Sequence, residues 1–401
     1  MKKELLAVLA LLAGASVGFA QPRFIPISGS DAPVPVASFE SSNGNAPRGW
    51  VSVDYLHWWV TNGPVNVPLV TTGNPASATG GAIGDPSTRV LFGNSSVNFG
   101  GLNGGRVSAG YWFGCDSRVG VEASGFLFQQ RSSTFSAASD AAGNPLLALP
   151  FQTTNGVEAR TIISTPTIQI AGATPQTGGV TITSTTRLWG ADFNGVLNVY
   201  RDCNCSLDLL AGFRYFDLQE SLTLNANTHI TLVPERVGGI TRRFDATLFD
   251  NFNTRNQFYG GQLGSRAAYQ TGRFSAEFLG LVALGSTQHL LYNGGATGVF
   301  LNGVQQAGVP GGQYTKTSNL GNFHTSSFSV IPQAQVKLGY DITKHLRATI
   351  GYDLMFWNNV NRPGNEIDHV IGPQPGTRPA PLDNHSSIWA QGVSVGLEYR
   401  W

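Results

Sequence analysis

Twelve ionisable residues carry most of the chemistry that this sequence could perform: Arg106, Glu122, Asp192, Asp208, Arg214, Glu220, Arg266, Glu277, Lys337, Asp353, Glu398 and Arg400. Each lies in a stretch where polar and apolar side chains alternate, and each falls on the polar parity. A two-residue period sends alternate side chains to opposite faces of a strand. On a closed sheet, charges of both signs on one face would line a lumen and tune ion selectivity. The same charges could instead pair and fill a narrow bore, because about eight strands just enclose their own side chains. Counting register from the turns predicts two pairs. A two-residue turn at Thr271-Gly272 sets Gln270 opposite Arg273 and Arg266 opposite Glu277. A count about Cys203 sets Asp192 opposite Arg214.

Other reactive side chains give weaker signals. Cys115, Cys203 and Cys205 fall in short turns, and a disulfide of Cys115 with Cys203 or Cys205 is expected, leaving one thiol over. No nearby histidine completes a three-cysteine metal site. The seven histidines are scattered. Asp368-His369 and Asp383-x-His385 lie in the last long connection, where a barrel protease or lipase would keep its site. No nucleophile–base spacing recommends an enzyme. The glycine pairs lack the Lys-Ser/Thr partner of a phosphate loop. The expectation is therefore no enzyme, no cofactor, no metal site and no nucleic-acid partner.

Strands must hold these residues. In the closing stretch Ser387–Trp401, Val393, Val395, Leu397, Tyr399 and Trp401 alternate with Gly392, Ser394, Gly396, Glu398 and Arg400. Nine other stretches show the same period: 50–60, 105–114, 118–130, 185–200, 206–224, 255–270, 273–288, 328–340 and 346–357. Short connections (115–117, 201–205, 271–272, 341–345) alternate with long ones (61–104, 131–184, 225–254, 289–327, 358–386). Outer-membrane barrels sort their connections this way, with short periplasmic turns and long extracellular loops. Tyr111, Phe113, Tyr340, Tyr399 and Trp401 gather near the short turns, and Trp59, Phe356 and Trp389 near the long loops, as two aromatic girdles would. His57, which parity points outward, and Phe126 and Phe128, which it points inward, fit poorly unless a local bulge re-aims them. Within 131–184, Ile162–Ile170 and Gly179–Thr186 could add a hairpin, either above the membrane or as strands eleven and twelve.

Composition supports an envelope location. Lys2 and Lys3, the apolar Leu5–Ala15 and the small-x-small Gly18-Phe19-Ala20 read as a secretory signal peptide (1–20), cut near Ala20. Residues 21–48 read as a Pro/Ser/Gly-rich disordered linker, and 49–401 as the barrel. Without Lys2, Lys3 and Glu4, basic and acidic residues number 23 each, which argues against electrostatic docking to nucleic acid. Only 12% of residues are charged, and 50 are glycine. Polarity therefore rests on Ser, Thr, Asn, Gln and Gly, as suits one face on a lumen and one on lipid. No apolar run after residue 20 is long enough for a spanning helix, so a membrane crossing must be a closed barrel.

Several blocks resemble the β-barrel, porin-like outer-membrane proteins of planctomycete bacteria. They are Asp54–Val60, Pro68–Gly73, Arg89–Gly93, Gly104–Phe113, Gly212–Leu222, Asp250–Gly264, Asn361–Asp368 and the closing strand. The resemblance spans nearly the whole mature chain and implies fold and location; it supplies no catalytic or ligand residues. It also implies that the terminal aromatic marks the chain for the barrel-assembly machinery. The fold expected is all-β: a transmembrane antiparallel up-and-down barrel of about ten strands, alternatively twelve. Passive diffusion of small hydrophilic solutes or ions is the first expectation. A closed barrel displaying its long loops is the second. A third, a barrel hydrolase, requires a Ser/His/Asp group within hydrogen-bond reach at the rim. Solute identity and oligomeric state stay open.

Overall fold

The computed structural model describes residues 48–114, 118–167, 173–232 and 242–401. The expected signal peptide, the linker up to residue 47, and Cys115 lie outside them. Ten strands form a closed antiparallel ring: β1 (Gly49–Val60), β2 (Gly101–Phe113), β3 (Val119–Phe128), β4 (Thr177–Arg201), β5 (Cys205–Leu232), β6 (Arg242–Thr271), β7 (Phe274–Leu301), β8 (Gly321–Asp341), β9 (Leu346–Asn361) and β10 (His385–Arg400). The closing strand β10 returns to β1, with Trp50 opposite Arg400 and Val60 opposite Ala390. Closure pairs the two edges that an open sheet would leave free.

The sheet has twelve strands but the ring has ten. The extra strands, Arg131–Ala138 on the upper part of β4 and Val304–Pro310 at the top of β7, stay outside the ring. Of the hairpin that Ile162–Ile170 and Gly179–Thr186 could form, the described residues show one isolated antiparallel bridge, Thr165 with Gln176. Gly179–Thr186 belongs to β4, Ile162 sits in a separate strand, Glu158–Ser164, and 168–170 lie outside the described residues.

Strands β4 to β7 run 25, 28, 30 and 28 residues, well past the limits expected from sequence. The cause is an inversion of polarity. Near the short turns, Leu209, Phe213, Leu263 and Phe278 face outward, while Asp208, Arg214 and Arg266 face in. Higher up, Val180, Ile182, Leu222, Leu224 and Phe252 are buried inward, and Thr181, Thr183, Asn251 and Asn253 take the outer face. The two-residue period persists but its sense flips, so the expected stretches stop short of the upper ends of these strands. A second sheet covers that inward apolar face. Its five strands, Gly63–Thr72, Arg89–Val97, Leu147–Thr153, Glu158–Ser164 and Val370–Ile371, come from three of the long connections. Leu69, Leu147, Leu149 and Ile163 pack with Leu222, Leu224 and Phe252 in one core.

The β6–β7 turn corrects one expectation. Thr271 pairs with Phe274 around Gly272 and Arg273, so Arg266 faces Leu279 and Glu277 faces Ala268. The register is offset by two residues and parity is kept. Gly272 has φ +56, and a glycine with positive φ at the first central position is what a type II′ hairpin demands.

Candidate functional site

The ring's interior is layered. Nearest the short turns lies a charged chamber. Arg106 reaches Asp54 at 3.2 Å and, across the bore, Asp353 at 2.8 Å; Lys337 Nζ lies 3.6 Å from Asp54. Arg266 joins Glu122, three strands away, at 2.6 Å, and meets Glu277 diagonally at 3.4 Å. Arg214 faces Asp192 at 4.0 Å and lies over the Phe216 ring, 4.9 Å from its centroid. Asp208 accepts from Asn198 Nδ2 at 2.6 Å, and Glu398 pairs with Arg400 on its own strand. A cavity of about 360 Å³ runs through this level to the turn residues Asp202, Cys203 and Asn204. Ten of the twelve expected residues line it; Asp353 and Glu220 do not. Asp353 is bound up with Arg106 and Gln335.

Above the chamber sits a layer that the residue types did not suggest. Fifteen apolar side chains, drawn from all ten strands, meet across the bore. Trp58, Phe128, Phe216, Phe258 and Trp357 form its bulk, and no member is more than 2% exposed. Phe126 packs against it, edge-to-face on Phe216 at 5.2 Å. Phe126 and Phe128 therefore needed no bulge. Their inward parity was correct, and the assumption of a wholly polar inner face was not. His57 keeps its outward parity, with Nδ1 2.7 Å from Asn103 Oδ1 and its ring edge-on to Trp59. The signal was present in sequence: Leu56, Trp58, Met355 and Trp357 share the parity of Asp54 and Asp353.

The third level ties the outer sheet to the ring. Buried Arg362 is paired with Glu220, with Nη2 2.8 Å from Oε1, and Nη2 also approaches the Thr61 carbonyl at 3.3 Å. Glu220 therefore anchors the last loop and is not free in a bore. Asp250 accepts from the backbone amides of Gln313, Tyr314 and Thr315. Tyr314 Oη donates to the carbonyls of Pro150 and Leu69, and burial pushes its phenol well above the ordinary value.

A ten-strand antiparallel ring with sorted connections can be compared with known proteins. The family model described as "Putative beta barrel porin-7 (BBP7)" matches residues 50–401. The chain belongs to this family. No curated protein matches it. Among solved structures, the outer membrane protease OmpT from Escherichia coli is similar at 9% identity, with 88% of this chain and 97% of that chain covered and a TM-score of 0.36. The Ralstonia pickettii toluene transporter TbuX is similar at 8% identity, covering 89% and 90%, with a TM-score of 0.23. An anion-selective porin from Comamonas acidovorans stands at 9%, 89% and 99%, with a TM-score of 0.17. At such scores these likenesses say nothing of a site or substrate.

On this outer-membrane porin-family barrel, the expected girdle residues all face away from the interior. Tyr111, Phe113, Tyr340, Tyr399 and Trp401 are exposed beside the short turns, and Trp59 and Trp389 at the other rim. Phe356 is half-buried against Trp389, with centroids 4.6 Å apart. The expectation missed a row on three adjacent strands, Trp189, Tyr215 and Tyr259, spaced 5.0 Å from ring to ring. Cys203 and Cys205 are not joined to each other; the bridge to Cys115 falls outside the described residues.

Proposed function

We propose that this porin-family barrel is closed to diffusion in the conformation described and serves as a rigid outer-membrane support for the β-layer folded over its outer end. The apolar layer carries the reading. A water-filled passage would wet some wall residue at every height, yet none of the fifteen side chains in that layer exceeds 2% exposure. Paired charges below it, such as Arg106 with Asp54 and Asp353, stiffen the ring as structural ion pairs. The bilayer and the barrel-assembly machinery are the partners this role requires, and no cofactor enters. Sequence blocks alone support the planctomycete-type attribution.

Passive passage of small hydrophilic solutes or ions is the second reading. Family membership and the charged chamber of about 360 Å³ favour it, but the apolar layer would have to move. Planar-bilayer recording of refolded full-length protein separates the two. The closed reading expects no steps above leak for the wild type. It expects steps when Trp58, Phe216 and Trp357 are cut together to Ala. Steps in the wild type would establish the porin reading.

A further inference from the structure

One cluster at the outer rim is not used by the closed-barrel reading. Asn256 on β6, His289 on β7 and Ser327 on β8 face inward, above the apolar layer, in a continuous hydrogen-bonded line. His289 Nε2 lies 2.8 Å from Ser327 Oγ, and Nδ1 lies 2.8 Å from Asn256 Oδ1. The direction of these bonds follows from the third partner. Asn256 Nδ2 donates to the Asn361 carbonyl at 2.8 Å, and Asn256 Oδ1 accepts from the Asn361 amide at 2.8 Å. That two-bond clasp fixes which end of the Asn256 amide is oxygen. Oxygen at this end makes His289 Nδ1 the protonated nitrogen, so Nε2 presents a lone pair to the Ser327 hydroxyl. This tautomer is the one a serine nucleophile needs from its base.

The wall beside Ser327 is also incomplete. β8 pairs with β7 up to Gly321, but with β9 only as far as Gln333 opposite Met355. Pro332, next along β8, has no N–H to continue the ladder. Above it two side chains bridge the seam: Asn358 Oδ1 accepts from the Val330 amide, and Asn359 Nδ2 donates to the Phe328 carbonyl, each at 2.7 Å. By the strand's period the Phe328 amide points across the seam as the Val330 amide does, without a ladder partner among the described residues. A backbone donor directly after a nucleophile suits a developing oxyanion. Ser327 is half-buried at this slot, while His289 is 1% exposed behind it. His385, held by Asp383, stacks on His289 with centroids 4.8 Å apart. Phe328 and the Phe356–Trp389 pair flank the seam on the outer face.

We propose that Ser327 is the nucleophile of an acyl-ester-cleaving site at the rim, with His289 as its base and Asn256 as a positioning residue. Ser327 Oγ attacks the ester carbonyl carbon as its proton passes to His289 Nε2. The tetrahedral adduct collapses, the C–O bond to the alcohol breaks, and the departing alkoxide takes the proton from His289. Water, deprotonated by the same nitrogen, then releases the acid and restores Ser327. The flanking aromatics select esters with an apolar acyl chain.

The test uses full-length protein refolded in detergent, with a fluorophosphonate probe read by peptide mass spectrometry and p-nitrophenyl octanoate as substrate. The expected results are a phosphonylated Ser327, no label or turnover in Ser327→Ala, and a rate at least about a hundredfold lower in His289→Gln. Asn256→Asp, which still accepts from Nδ1, should retain more activity than Asn256→Leu. Heat-modifiable migration on gels shows that each variant is folded. An unlabelled Ser327 in folded wild type would overturn the assignment, as would undiminished labelling in folded His289→Gln. Neither result bears on conductance, so this site and the closed-barrel reading can fail separately.

Discussion

Glu366 is a carboxyl group with little to hold its charge. It lies fully buried in the last long connection; Oε1 accepts from the Asn384 amide at 3.2 Å and, among the described residues, Oε2 has no partner. Burial is the main cause that pushes its pKa from 4.5 up to about 8. The native state therefore keeps a proton that the unfolded chain releases. The stability this contributes is whole below pH 4.5, falls by about 1.4 kcal/mol per pH unit as pH rises toward 8, and is gone above it. The expected outcome is that proteolytic nicking within 362–384 speeds up between pH 5.5 and 8 in the wild type relative to Glu366→Gln. Equal pH slopes in the two proteins would refute it. At this scale the sequence is legible where parity governs. Asp192 faces Arg214, as the turn count predicts, because both sit on inward positions of paired strands, and Arg266 still finds Glu277 although the register is offset by two. Glu366, Ser327 and His289 were not legible, because their environments are made by residues tens to hundreds of positions away.

The strand that closes the ring illustrates the element scale. Tyr399 pairs with both Val51 and Leu346, Arg400 with Trp50, and the Trp401 carbonyl accepts from the Arg48 and Gly49 amides at 2.8 and 3.2 Å. Removing Tyr399 to Trp401 would strip β1 and β9 of partners at the same end and leave unpaired edges where lipid offers no hydrogen bonds. That truncation is expected to leave no heat-modifiable barrel in outer-membrane fractions; wild-type levels there would contradict it. Strands such as β10 could be read from sequence because one face meets lipid along their whole length. The upper halves of β4 to β7 could not, since the apolar face turns from outside to inside above Trp189, Tyr215 and Tyr259. One constant sense of alternation fails above that row, so the stretches expected from sequence stop at 185, 224, 255 and 288, short of the strand ends.

At the scale of the molecule, ring and outer layer form one packed body. The outer sheet shares its core with the ring: Leu69, Leu147, Leu149 and Ile163 are buried in one cluster with Leu222, Leu224 and Phe252 of β5 and β6. Its strands come from 63–72, 89–97, 147–153, 158–164 and 370–371, so no continuous segment could fold alone. This non-local assembly is also why the sequence shows only one piece of the layer, the segment at Ile162, as a candidate strand. Two buried polar anchors, Arg362 on Glu220 and the 313–315 backbone on Asp250, fix it to the wall. Breaking a buried ion pair by removing one partner typically costs about 3–5 kcal/mol. Ordinary surface loops open at almost no cost in free energy, whereas core strands open only near the global limit. The Leu147, Leu149 and Ile163 amides should therefore exchange hydrogen as slowly as those of Leu222 and Phe252. In Arg362→Met the outer-sheet amides should speed up together while β10 amides stay slow. Fast exchange at 147–149 in the wild type would mean that the layer is a set of independent loops, and the support role proposed for the barrel would fall with it.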